Sequence, residues 1–291
     1  MKSKHLACIV STVMLTCAFA DQPPRLSSEA LRQRVVEIKK IVKSQAKVIG
    51  NRVESPIKSE FGTPIQHGVV FRSGDLNVTL DPVAGRVLSL ESMQTARHFA
   101  EKPKLNEEQA LSLAEEHVRM LGASLQMSKD IIHSGYDPST GRWNFAWQRR
   151  IGKYPFPEET IFISVNDFDG TLAAFRDRTT GRECLMDPII DEAKGRESAV
   201  QAIKTVHSEL LEKDYVIVVV GSGKLQIAYP NRRYQTQQTL TAHSSSDSPQ
   251  PRLVYNFNVT ITYAGSSNLR KVVPPASVWV DALTGSVVGG L

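Results

Sequence analysis

The sequence has few cysteines and little surplus charge of either sign. Three cysteines occur in 291 residues, and two of them, Cys8 and Cys17, lie in an apolar stretch near the N-terminus. Without that stretch Cys184 is alone, so no internal disulfide can form. We interpret Cys184 as a small buried hydrophobic residue rather than a reactive or intermolecular thiol. The formal net charge of +5 is too mild to indicate nucleic-acid binding.

Long hydrophobic runs are also missing, apart from the segment Leu6 to Cys17. This segment follows Lys2 and Lys4 and precedes an Ala-x-Ala site that ends at Ala20, the pattern of a secretory signal peptide. It is too short to be a permanent membrane span. The sequence therefore predicts a signal peptide over residues 1–20, cleavage after Ala20, and a secreted or periplasmic protein.

Motifs of catalytic and metal sites are incomplete. Glu115-Glu116-His117 begins like a zinc-peptidase motif, but Leu121 occupies the position of the second histidine. Gly221-Ser-Gly-Lys224 lacks the remaining residues of a phosphate-binding loop, and a β-hairpin turn is the better interpretation. Asn166 to Gly170 does not fit a calcium loop, and His243 to Asp247 lies in a polar stretch. We predict a protein that is not an enzyme and assign no catalytic, cofactor-binding or metal residues; its binding residues stay open.

One pattern is present three times: a β-rich run, Asp or Asn, three residues, glycine and an apolar return. The copies are Asp81 to Gly85, Asn166 to Gly170 and Asp281 to Gly285. Asp and Asn favour turns through their own side-chain hydrogen bonds, and glycine tolerates positive φ. Because Asn replaces Asp in one copy, the pattern indicates a structural turn that ends each of three units rather than a chemical site.

A helix is expected to open each unit. Ser27 or Ser28 caps a first helix that runs to about Ile49, with Gly50 as the stop. The second begins with a capping box, and a third lies within residues 191–211. The apolar stripes predicted to be buried in the first two are Leu31, Val35, Ile38 and Val42, and Ala110, Leu111, Ala114, Val118 and Leu121. The box of the second helix consists of Asn106 and Gln109, with Leu105 as a hydrophobic staple.

Aromatic side chains are concentrated in the strand predicted over residues 142–149. Trp143, Phe145 and Trp147 alternate and so share one face. They would serve either as a ligand-stacking platform or as core, and core packing is the preferred interpretation. Arg149, Arg150 and Lys153 follow as a small basic cluster that we expect to be exposed and solvated.

Two further segments are candidates for contact with a partner. The first helix has a basic face of Arg32, Lys39, Lys43 and Lys47, which would suit anionic lipid or a cell-wall polymer. Packing of its apolar stripe on a sheet is the preferred interpretation of that helix. The polar stretch 235–252 is predicted to be an exposed loop. Contact with a partner protein would occur either by strand addition at a sheet edge or by insertion of a loop such as this one.

The segment Val280-Asp-Ala-Leu-Thr-Gly-Ser-Val-Val-Gly289, which follows a predicted long strand and a helix, resembles the PepSY domain. The middle unit is similar to the PepSY-like repeat of the YcdB/YcdC type. The first unit matches only in its hairpin. The residues that carry the resemblance in the middle unit are Leu105–Ala110, Trp143–Arg149, Gly152–Pro157 and Asn166–Gly170.

The resemblance implies an α+β fold of tandem units, each a helix packed on an antiparallel β-sheet, broadly cystatin-like. The units would be 21–100 (degenerate), 101–183 and 184–291. It implies an extracytoplasmic, non-catalytic module with no catalytic residues to transfer. PepSY modules occur in propeptides of thermolysin-type metallopeptidases, where an inhibitory or folding-assistant role is proposed.

The expected function is therefore that of an exported module that either binds another extracytoplasmic protein or regulates a peptidase as an inhibitor would. The alternative is attachment to the cell envelope through the basic first helix. Neither expectation involves a cofactor, nucleic acid or a permanent membrane span.

Overall fold

The structure is a computed structural model, which describes residues 24–43, 49–58, 64–92, 102–123, 130–187, 190–208, 215–231, 233, 250–263 and 276–291. The predicted signal peptide, Lys47 and all of the polar loop except residues 250–252 lie outside the described residues. No helix within the described ranges has the length and hydrophobicity needed to cross a membrane.

Three helices occur in these ranges, and each begins after a side chain that caps its first turn. The sequence predicts caps for the first two helices, and only the approximate range for the third. The predicted capping box of the second helix is present in full. The helices, each followed by its cap residue, are α1 (Ser28–Ile41, Ser27), α2 (Glu107–Met120, Asn106) and α3 (Glu192–Val206, Asp191).

The first helix is shorter than predicted. It ends at Ile41 rather than near Ile49, and Lys43 follows with a φ of 55°, in the left-handed region that stops a helix. Ile49 and Gly50 lie in a strand instead. The predicted apolar stripe is confirmed, because all four of its residues are buried: Leu31, Val35, Ile38 and Val42.

Four strands follow each helix along the chain, twelve in the described ranges. After α1 come β1 (Ile49–Lys58), β2 (Pro64–Ser73), β3 (Leu76–Leu80) and β4 (Val87–Ser92). After α2 come β5 (Asp130–Asp137), β6 (Arg142–Ile151), β7 (Tyr154–Asn166) and β8 (Leu172–Asp177). After α3 come β9 (Tyr215–Ala228), β10 (Arg252–Tyr263), β11 (Ala276–Asp281) and β12 (Val287–Gly290).

The predicted fold class, α+β tandem units with one helix on one sheet each, is wrong. The described chain is mostly antiparallel strand, in an eight-stranded sheet of order β1-β2-β3-β4-β8-β7-β6-β5 and a four-stranded sheet of order β12-β11-β10-β9. The large sheet is continuous because β4 and β8 pair, with Leu90 opposite Phe175. Each of these strands ends a meander with an open edge, and pairing satisfies the backbone groups of both edges. The proposed domain boundaries stay a prediction.

Two large hydrophobic cores lie in the described part of the chain, beside a small cluster on the four-stranded sheet that consists of Ala228, Val254, Trp279 and Val288. The first lies between α1, α2 and the large sheet, and the predicted α2 residues Ala110, Ala114, Val118 and Leu121 belong to it. The second lies between α3 and the four-stranded sheet, but it also contains Ile65 of β2 and Phe156 of β7. The second core therefore joins the two sheets through apolar contact.

The recurrent turn has the same backbone in its three predicted copies, where the glycine N–H donates to the carbonyl of the first residue at 2.9 Å. The glycines Gly85, Gly170 and Gly285 have φ values of 66°, 68° and 77°. A fourth turn of this kind, Asp137 to Gly141, joins β5 to β6. The turn is thus a property of the loop sequence and does not only mark the end of a unit.

Each helix start is hydrogen-bonded to the turn that closes its own group of strands. The residue before the cap donates its N–H to the second residue of the turn: Leu26 to Pro82 O at 2.8 Å, and Ile190 to Ala282 O at 3.2 Å. In the middle group Leu105 N–H donates at 2.9 Å to the carboxylate of Asp167, which replaces the backbone acceptor.

Candidate functional site

A cluster of buried charged and polar side chains lies where the large sheet meets the four-stranded sheet. Its centre is Glu159 of β7, which is fully buried. One carboxylate oxygen accepts a bond from Arg149 of β6 at 2.6 Å, and the other accepts from Thr180 at 2.5 Å and from the Tyr229 hydroxyl. Arg149 itself is only 4% exposed. We call this set, with Glu158, the charged junction.

The charged junction links the two sheets directly. Glu158 of β7 is fully buried, and its carboxylate accepts the backbone N–H of Tyr229, just after β9, at 2.6 Å. Tyr229 is also fully buried, and its ring packs on Phe156 with centroids 5.1 Å apart. Adjacent glutamates of one strand therefore hold the backbone and the side chain of one tyrosine in the other sheet.

The segment after β8 passes through the charged junction. Arg149 donates to the carbonyl of Arg182 at 2.8 Å, and Arg182 donates to Ile65 O of β2 at 2.9 Å. Arg86 donates to Thr179 O at 2.7 Å. Arginine side chains thus fix residues 179–182 between the sheets through backbone carbonyls.

Asp177, the last residue of β8, is a further buried carboxylate beside the charged junction. Its Oδ1 accepts from the N–H and hydroxyl of Thr179, and its Oδ2 lies 3.2 Å from Arg86. Burial raises the pKa of Asp177 above its ordinary value, while Arg86 opposes that shift. The negative charge of Glu159 also favours the protonated form.

Tyr229 is held as a hydrogen-bond donor. Burial and then the negative charge of Glu159 raise its pKa well above the ordinary tyrosine value. The phenol stays protonated at neutral pH and donates to Glu159. The buried groups of the charged junction bind one another across the interface, an arrangement suited to holding two sheets together.

The aromatic side chains of β6 are core residues, as preferred from the sequence. Trp143, Phe145 and Trp147 are 7%, 0% and 3% exposed and belong to the first core. The indole N–H of Trp143 donates to Asp167 at 3.1 Å.

The prediction that Arg149, Arg150 and Lys153 form one exposed basic cluster is wrong for Arg149. Arg150 and Lys153 are exposed, and Arg150 pairs with Asp130. Arg149 points to the opposite face of β6, as strand alternation requires, and there it meets Glu159. The alternation of Trp, Phe, Trp and Arg along β6 was the available sequence signal that Arg149 shares the buried face of the aromatic side chains. Glu159 could then have been considered as the acidic partner of Arg149.

Gly221 to Lys224 is a bulge inside β9, not the hairpin turn predicted. Lys224 pairs with Asn256 and Val220 pairs with Asn258, so three residues lie opposite one. Glu192 of α3 accepts the N–H of Gly223 at 2.9 Å. A Cβ on Gly223 would lie 2.6 Å from the Phe257 ring, which explains the glycine.

The remaining sequence candidates lie in structural positions. His117 is buried, and its Nε2 lies 2.9 Å from Gly170 O. Cys184 is half-buried against the second core rather than fully buried, and burial raises the pKa of its thiol. Within the described ranges no three His, Cys, Asp or Glu side chains come together as metal ligands would.

An exposed apolar pair lies at the edge of the large sheet. Among the described strands β5 is the last of this sheet, and it pairs with β6 on its inner side. Ile131 and Ile132 of β5 are 44% and 51% exposed. This edge was not predicted, because the position of a strand within its sheet is not visible in its periodicity.

The fold is that of a two-sheet antiparallel β protein with three helices in the described ranges, joined by the charged junction. No known family profile and no curated protein match the chain. Among solved structures it is similar to the Bacillus megaterium YpeB C-terminal domain, with 11% identity, a TM-score of 0.39, and coverage of 92% of this chain and 97% of that one. A similarity of this size carries no argument about function.

Proposed function

We propose that the protein is an exported, non-catalytic binding module of the PepSY type that contacts another extracytoplasmic protein. Secreted peptidases are the first partners to test, because the sequence resemblance points to modules found in peptidase propeptides. The observation that carries the proposal is the β5 edge, where Ile131 and Ile132 are exposed side by side. A sheet edge offers backbone donors and acceptors to an extended segment of a partner.

The charged junction supports a binding role over a catalytic one. Arg149, Glu159 and Tyr229 bind each other across an interface whose groups are almost fully buried. Charged groups paired in this way stabilise a scaffold, and a scaffold that holds a sheet edge in place lowers the entropy cost of binding.

Attachment through the basic helix receives less support. The apolar stripe of α1 is packed in the first core, so insertion of this helix into lipid would require its removal from that core. Arg32 on the exposed face of α1 and Lys43 just after the helix would contribute only surface charge.

The test is to mix the purified protein with individual exported peptidases of its source organism and to measure complex formation by calorimetry and peptidase activity. Ile132→Lys should abolish the complex by placing a charge on the edge. Val206→Lys is the matched control, because Val206 is 49% exposed but lies at the end of α3.

Two results would count against the proposal. If no peptidase forms a complex or changes activity, the peptidase partner is wrong. If a complex forms and is equally sensitive or insensitive to both substitutions, binding does not use the β5 edge.

A further inference from the structure

The β5 edge is acidic although the chain as a whole has a formal net charge of +5. Asp130 and Asp137 are the first and last residues of β5, and Glu107 of α2 accepts a hydrogen bond from Ser134 in its centre. Arg150 pairs with Asp130, and Glu107 and Asp137 are the other carboxylates of this edge, which also has the exposed His133 and, opposite Asp137 on β6, Arg142. A ligand beside Glu107 and Asp137 therefore meets two carboxylates although the chain as a whole is cationic.

The carboxylate of Asp137 is fixed in its charged form. It accepts bonds from the Ser139 hydroxyl at 2.6 Å and from the Thr140 hydroxyl at 2.7 Å within the β5–β6 turn. These bonds hold the pKa of Asp137 below its ordinary value. The edge keeps this negative charge throughout the neutral pH range.

A bulge brings two consecutive apolar side chains to the edge. Ile131 pairs with Trp147 and His133 pairs with Ala146, so Ile132 is an extra residue on β5. In a regular strand, neighbouring side chains point to opposite faces, and a bulge changes that alternation locally. The result is an apolar surface at Ile131 and Ile132, with Asp137 further along the same strand and Glu107 of α2 beside Ser134.

We infer that the β5 edge docks an extended segment of another protein in which apolar residues are followed on one side by basic ones. The segment would add as a strand beside β5, with its apolar side chains on Ile131 and Ile132 and its basic side chains near Glu107 and Asp137. This inference rests on the proposed protein-binding function and adds the chemical class of the bound segment. Backbone pairing supplies affinity, and charge selects the segment.

The test uses the isotope-labelled full protein and three synthetic peptides of the length of β5, 8 residues. The peptides share a core of alternating valine and threonine and differ only in their end residues, which are lysine, glutamine or glutamate. The lysine peptide should shift the amide resonances of residues 130–137 and bind about fivefold more tightly than the glutamine peptide. The glutamate peptide should be the weakest, and the differences should shrink at high salt.

A charge reversal at Glu107 separates charge recognition from general edge binding. In the Glu107→Lys protein, the affinity of the lysine peptide divided by that of the glutamate peptide should be about threefold to fivefold lower than in the wild type. Glu108→Lys is the matched control, because it changes the same charge in the same helical turn but projects about 100° around the helix from Glu107. The control should keep the wild-type order of the peptides.

The outcomes distinguish the inference from the proposed function. Equal binding of the lysine and glutamate peptides at residues 130–137 overturns the basic class and leaves strand addition at β5 in place. Shifts located elsewhere, or none with any peptide, overturn β5 as the docking strand. A peptidase complex that survives Ile132→Lys would then still support a binding module that uses another surface.

Discussion

Glu159 lies in the protein interior, an unusual position for a glutamate. It is fully buried, and Arg149, Thr180 and Tyr229 all donate to its carboxylate. Desolvation offsets most of the attraction in a buried ion pair, so such a pair is weak evidence for net stability. Removal of one partner is costly, however, because it leaves the other charge buried and uncompensated. The charged junction therefore makes the stability of the interface depend on single residues.

Glu159→Gln tests that dependence. The substitution keeps the shape of the side chain but leaves Arg149, which is 4% exposed, without its negative partner. We expect the free energy of unfolding to fall by about 3 kcal/mol, measured by urea denaturation at neutral pH. Asp130→Asn, which disrupts the exposed pair with Arg150, should cost less than about 1 kcal/mol. Equal losses in the two variants would show that burial does not set the cost.

Asp177 gives the molecule a pH dependence with a defined sign. Burial raises its pKa in the folded state above the value of the unfolded chain. Its protonation therefore favours the folded state: the contribution is complete below the unfolded pKa of about 4 and is lost as pH rises through the folded pKa. The difference in unfolding free energy, wild type minus Asp177→Asn, should decrease over that interval and then level off. A difference that is constant with pH would show that Asp177 has the same pKa in both states.

At the level of elements, sequence patterns predict what is local. The capping box of α2 and the buried stripe of α1 follow from spacing within one helix, and the structure has them. The predicted stripe of α2 is confirmed except for Leu111, which is only partly buried against the first core. Contacts between elements are absent from such patterns. Nothing in the spacing of Gly221 and Gly223 shows that Phe257 of another strand fills the space beside Gly223, so a bulge and a turn have the same local sequence.

Asp167 shows how a turn residue acts on a distant helix. It is 4% exposed, and its carboxylate accepts the N–H groups of Lys104 and Leu105, before α2, and the indole N–H of Trp143. The sequence identifies Asp167 only as part of a turn. Its role as the acceptor that anchors the start of α2 depends on a contact between residues far apart in the chain.

Asp167→Ala should reveal that anchor. It leaves three donors without their acceptor in a mostly buried place, and we expect a loss of about 2–4 kcal/mol in unfolding free energy. Asp169→Ala is the control, because Asp169 is exposed and accepts only from its neighbour Thr171 in the same turn. Its loss should stay below about 1 kcal/mol. Chemical denaturation of both variants makes the comparison, and similar losses would mean that only the turn itself is stabilised.

At the level of the whole molecule, the sequence predicts the repeated order of a helix and strands but not how the strands combine. Pairing of β4 with β8 merges eight strands, and Ile65 and Phe156 of that sheet enter the core under α3. Both features depend on edges and faces of strands that lie far apart in the chain. The prediction of one sheet per helix was wrong because an unpaired strand edge can pair with a strand from another group.

The shared core and the charged junction predict that the two sheets unfold together. The chain has three tryptophans: Trp143 and Trp147 lie in β6 of the large sheet and Trp279 in β11 of the small one. Trp279→Phe leaves reporters in the large sheet only, and the double Trp143→Phe/Trp147→Phe variant leaves one in the small sheet. Each variant should give coincident denaturation midpoints by fluorescence and by circular dichroism, which reports on both sheets.

Phe156→Ala, introduced into each tryptophan variant, should give different denaturation midpoints by fluorescence and by circular dichroism. The substitution opens a cavity where both sheets meet and should lower the free energy of unfolding by about 3–5 kcal/mol. Phe145→Ala, equally buried but confined to the first core, should lower stability while the probes stay coincident. Separate midpoints before Phe156 is changed would show that the sheets are independent folding units. Coincidence after the change would show that the contacts of Phe156 are not needed to couple them.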